Sequence, residues 1–135
     1  MSDLDELMAA RPQAHEHYRD LDALIWDGRL DPALLEVCRV RIANLHACGP
    51  ELALERADIG DKRRMIAQWP SSPLFSDVER ALLRFTEQYI IDAQGVTDAD
   101  AAGVTSVLSG PEIAAFTIAI GTFDAICRFT LALDA

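Results

Sequence analysis

Apolar residues recur along most of this chain at spacings of three and four, the period of an amphipathic helix, and no stretch shows the strict alternation of a strand. Tyr18, Leu21, Leu24 and Ile25 mark a first helix after Pro12, and Gly28 stops it. Asp31 followed by Pro32 is a helix start, because the carboxylate can accept an orphan N–H and proline lacks one. Leu34, Leu35, Val37, Cys38, Ile42 and Leu45 form the apolar stripe of this second helix, which Cys48-Gly49-Pro50 breaks. Pro50 is placed to open a short helix over 51–57. Another short helix is expected from Asp61 until Pro70 disfavours helical geometry at Trp69.

Ser71-Ser72-Pro73 reads as a linker. Ser76 with Glu79 predicts a capping box for a helix carrying Val78, Leu82, Phe85 and Tyr89, with Gly95 ending the segment. Thr97 with Asp100 starts the next, which ends near Gly110. The last helix opens at Gly110-Pro111-Glu112 and is apolar on nearly every face, so it must be covered on nearly every face. Ala115, Ala119 and Gly121 would let another backbone approach closely. The expected architecture is all-α: one domain over residues 1–135, a compact bundle of about six helices, with the acidic first ten residues as a loose lead-in. It is expected to self-associate through apolar helices as a homo-oligomer, a dimer, trimer or hexamer.

Charge narrows the partners. Twelve basic and twenty-two acidic side chains leave a formal charge of −10, which argues against nucleic acid and against an anionic membrane surface. Asp124 and Arg128 interrupt the longest apolar stretch, so no membrane span is expected. The acidic N-terminus lacks the basic segment of a signal peptide, and three widely spaced cysteines do not form a secreted disulfide framework. A cytoplasmic location is the expectation.

The chemistry concentrates between Glu36 and Gly60. The stretch Arg41-Ile42-Ala43-Asn44-Leu45-His46-Ala47-Cys48 resembles the entry to the redox motif of the carboxymuconolactone decarboxylase / alkyl hydroperoxidase D-like (AhpD-like) family, and Glu36 stands twelve residues before Cys48. Residues 75–83 and 118–129 are similar to that family's linker, following helix and terminal helix. The resemblance covers roughly residues 15 to 133. It implies an AhpD-like helical fold and peroxiredoxin-type thiol chemistry, with Cys48 as the reacting thiol, Glu36 as a proton relay and His46 nearby. The family's Cys-x-x-Cys is incomplete here: Glu51 stands at the second cysteine and Glu55 at the motif histidine. Glu51 and Glu55, one helical turn apart on the expected short helix, join Cys48, Glu36 and His46 as the candidate catalytic set.

A sulfenic acid on Cys48 would need a partner thiol to resolve it. Cys38 lies ten residues earlier on one continuous helix, about 15 Å along the axis and beyond disulfide reach. Cys127 would have to be brought back by the fold. Neither a cofactor nor a metal ion is expected, since no second His or Asp joins the carboxylates in a ligand spacing. Two alternatives stand beside the thiol reading. One is an oligomeric binding or scaffold protein on the same fold. The other is a cofactor-free acid–base enzyme of the lactone decarboxylase type, acting on a small organic acid received by Arg39, Arg41 or Arg128. Asp124 and Arg128 are expected to pair at i,i+4, and Lys62-Arg63-Arg64 to form a solvated basic face. His15 and His17 are expected at the surface.

Overall fold

The computed structural model describes residues 3–133, and among them every regular element is helical. The α-helices are α1 (Asp3–Met8), α2 (Pro12–Ile25), α3 (Pro32–Leu45), α4 (Gly49–Leu52), α5 (Asp77–Ile91), α6 (Asp98–Thr105) and α7 (Gly110–Leu133). Short 3-10 turns lie at Gly60–Lys62, Ile66–Gln68 and Ala93–Gly95. The local start signals operate as read. Asp31 accepts from the Ala33 N–H, and complete capping boxes at Ser76/Glu79 and Thr97/Asp100 open α5 and α6.

Helix α3 is the hub. Leu35, Cys38 and Ile42 face one core, shared with Leu82 and with Phe116, Ala119, Ile120 and Phe123 of α7. Val37 and Val40 face a second core built from Ile59, Ile66, Trp69, Phe75 and Leu83. A helix sandwiched between two cores needs apolar residues on opposed faces, which is why its stripe is broad. Fully burying each such side chain contributes about 1.5–3 kcal/mol relative to exposure.

Three sequence expectations give way to tertiary structure. Asp3–Met8, expected as part of a loose lead-in, is a short helix packed against α2 and α7. The helix expected over 51–57 is a single turn ending at Leu52, and residues beyond Ala53 run irregularly. The helix expected from Asp61 is replaced by two 3-10 turns. In the first place the Arg56 and Ala57 N–H groups donate to the buried Glu36, and in the second Arg63 and Lys62 pair with the buried Glu36 and Glu79, so neither segment continues as an α-helix.

By length and composition α7 would be long and apolar enough to cross a bilayer. In the fold it turns Phe116, Ala119, Ile120, Phe123 and Cys127 into the core and leaves Ile118 and Phe129 more than half exposed, at 51% and 59%.

Candidate functional site

The chain reaches Cys48 through a helix ending of Schellman type. The Cys48 N–H donates to the Ala43 carbonyl at 2.9 Å and the Ala47 N–H to Asn44 at 3.1 Å, with Ala47 between them in the left-handed region at φ 52°. Glycine is the usual occupant of that position, since a Cβ there costs about 1–2 kcal/mol. The bend buries the Cys48 side chain completely at the start of α4.

Cys127 meets it there. The two thiols are neighbours within one core cluster, and neither is in a disulfide. Burial, followed by the proximity of Cys48 and Glu51, pushes the Cys127 thiol well above its ordinary value. Cys38 is remote in character: wholly buried on α3, its thiol is pushed up to about 12 chiefly by desolvation.

A polar clamp lies beside the thiols. His46, two residues before Cys48, shares a 2.6 Å hydrogen bond between Nε2 and Oδ1 of Asp124, one turn before Cys127 on α7. Asp124 also accepts from Arg128 Nε at 3.0 and 3.1 Å, the expected i,i+4 pair, with the arginine side chain 61% exposed.

Glu36 is placed differently from a free relay group. Its carboxylate, 0% exposed, accepts from Arg39 Nε at 2.5 Å, Arg39 Nη2 at 3.2 Å, Arg63 Nη2 at 2.7 Å and the Arg56 N–H at 2.8 Å. Burial alone would raise this carboxyl's pKa; the hydrogen bonds from Arg39 and Arg63 outweigh it and hold the value below the ordinary range. Arg39 continues outward to the carbonyls of Glu51 and Leu54, at 2.9 and 2.7 Å. Glu36 therefore anchors the irregular segment that follows Cys48. Arg63, read from sequence as part of a solvated basic face, is a structural counter-ion of Glu36, and Lys62 reaches the buried Glu79 at 2.9 Å.

Glu51 sits on the α4 turn, and burial raises its carboxyl pKa; Arg39 and Arg56 oppose the rise, while Glu36 and Asp22 add to it. Glu55 lies outside the helix and is exposed, so the expected shared face with Glu51 is not formed. Of the five sequence candidates, Cys48, His46 and Glu51 fall around one turn. Glu36 supports that turn, and Glu55 stands apart.

A cleft of about 650 Å3 is lined by residues that lie beside both cysteines in the sequence. Pro50 and Glu51, just after Cys48, and Ile126, just before Cys127, line it together with Tyr18, Asp22 and Arg56. Arg56 pairs with Asp22 at 2.9 and 3.1 Å and lies 4.8 Å over the Trp26 ring. Burial and the neighbouring carboxylates push the Tyr18 phenol up to about 12. An apolar groove of about 460 Å3, lined by Leu7, Met8, Leu21 and Phe129, shares Leu4, Tyr18 and Ile126 with the cleft. The arginines expected to receive an anionic acid are all paired: Arg39 with Glu36, Arg41 with Glu87 and Asn44, Arg128 with Asp124.

Sequence reasoning missed Arg63, Arg56 and Tyr18, for which no local signal exists. Asp124 and Cys127 did carry one: their i,i+3 spacing places them on one face of α7.

No protein-family model matches the chain. It is 30% identical over 111 residues to the uncharacterized protein YnjA of Escherichia coli (strain K12), a match covering 78% of this chain. It spans 61% of that relative's length. The structure superposes on a crystal structure from Agrobacterium tumefaciens, ATU0492, a protein of unknown function named as a candidate antioxidant defence protein AhpD. The TM-score is 0.79 at 19% identity, over 96% of this chain and 93% of that one. At that identity the likeness concerns the fold, which is AhpD-like and all-helical.

Proposed function

We propose that this is a thiol oxidoreductase of AhpD-like fold, reducing hydroperoxides at Cys48. The observation that carries the reading is the position of Cys48. It sits on a tightly fixed bend between two helices, behind a cleft wall formed by the next residues of its own turn, with Glu51 and the His46–Asp124 pair around it. The thiolate is the nucleophile toward a peroxide oxygen, and the departing alkoxide or hydroxide needs a proton. Glu51, its pKa raised and its backbone on the Cys48 turn, is suited to supply that proton. Glu36 takes a positioning role, holding the turn through Arg39. The exposed apolar face of α7 supports self-association into a homo-oligomer.

Peroxide consumption in the presence of dithiothreitol tests this. Wild type and Cys38→Ala should turn over a small organic hydroperoxide, and Cys48→Ala should not. Equal rates in all three would overturn it.

One observation favours a second reading, an oligomeric scaffold without chemistry. Cys48 and Cys127 are 0% and 2% exposed, the burial of packed rather than reacting thiols. That reading predicts no turnover in any variant and an unchanged oligomer in Cys48→Ala.

A further inference from the structure

We infer that Cys127, on the last helix, is the resolving thiol for Cys48, so that oxidation closes a disulfide between the α3–α4 bend and α7. This rests on the reading of Cys48 as the sulfur that meets the oxidant.

Two independent features bring the pair together. The two side chains are neighbours in the same buried core cluster. The His46–Asp124 bond of 2.6 Å clamps the two segments that carry them, two residues before one cysteine and three before the other. With their segments held together in this way, the two sulfurs are placed to approach to the roughly 2 Å bond of a disulfide. Cys38 shares the cluster but sits within α3, ten residues before Cys48 and without the clamp that joins the other two segments. Glu51 occupies the position expected for a second motif cysteine, so a thiol from a distant part of the sequence takes over the role.

The Cys48 thiolate attacks the distal oxygen of a hydroperoxide, the O–O bond breaks, and the alkoxide takes a proton to leave as an alcohol. Cys48 is now a sulfenic acid. The Cys127 sulfur attacks the Cys48 sulfur, the S–O bond breaks, and the departing hydroxyl takes the Cys127 proton and leaves as water. The disulfide is returned to two thiols by a small or protein dithiol, which is itself oxidised.

The test is residue-mapped mass spectrometry of the intact, folded protein after brief exposure to hydrogen peroxide. The expected wild-type product is a Cys48–Cys127 disulfide within one chain, with Cys38 still a free thiol. In Cys127→Ser the disulfide should vanish and a dimedone-trapped sulfenic acid should accumulate on Cys48. Cys127→Ala, which avoids a buried hydroxyl, should behave in the same way, and circular dichroism checks that both variants are folded. Sulfenic acid on wild-type Cys48 with Cys127 left as a thiol would overturn the pairing while keeping the reading of Cys48. Failure of Cys48 to oxidise at all would overturn both.

Discussion

Arg63 reaches 2.7 Å into the molecule to the buried Glu36 carboxylate, which Arg39 already holds from its own helix. One carboxylate thereby holds two guanidinium groups and ties the irregular segment after α4 to α3. Breaking a buried ion pair by removing one partner costs about 3–5 kcal/mol, because the other charge is left uncompensated. Glu36→Gln should lower the folding free energy by roughly 3 kcal/mol, read as a shifted midpoint in urea. An unchanged midpoint would mean that Glu36 does not hold the turn.

The same carboxylate fixes an acid limb of stability. Its folded pKa lies below the ordinary value, so its contribution is present above the unfolded carboxyl's titration and is lost as pH falls through that range toward the folded value. Thermal melts should therefore fall from about pH 5 downward. In Glu36→Gln this slope should be shallower than in wild type.

Ala47 gives a prediction of opposite sign. Its positive φ is a conformation glycine adopts without strain. Ala47→Gly should raise stability by about 0.5–1 kcal/mol once the greater chain entropy of unfolded glycine is set against the relieved strain. The check is the same urea midpoint, with loss of stability as the contrary result.

Tyr18 lines both the cleft and the adjoining groove, and its phenol is pushed up to about 12 by burial and by Asp22 and Glu51. Ultraviolet titration of the Tyr89→Phe protein should show a phenol ionising well above pH 10. A folded-state midpoint at the ordinary value would mean that the cleft is wetter and less acidic than described. Because the folded phenol keeps its proton longer than the unfolded one, stability should decline between about pH 10 and 12.

Where structure follows local rules, it was legible in sequence. Asp31-Pro32, Ser76/Glu79 and Thr97/Asp100 start helices because their side chains satisfy N–H groups one turn away, a matter of three residues. The segment from Ala53 to Trp69 was misread because its conformation answers to Glu36 and Glu79, each more than fifteen residues distant from the cation that reaches it from this segment. The same distance hid the site. Cys48, His46 and Glu51 were visible as a cluster along the chain, whereas Cys127 and Asp124 join them only when α7 packs on α3. Glu55 fell away for a local reason: α4 stops after one turn, leaving no helical face to share with Glu51.

The most direct test compares the three cysteines in one folded sample at neutral pH, by timed alkylation or brief peroxide exposure with mass-spectrometric reading of each site. Cys48 should react first and at least tenfold faster than Cys38, an advantage of about 1.4 kcal/mol in barrier. Equal, slow rates at Cys48 and Cys38, rising only when the chain is unfolded, would contradict the account and leave a packed thiol in a structural protein.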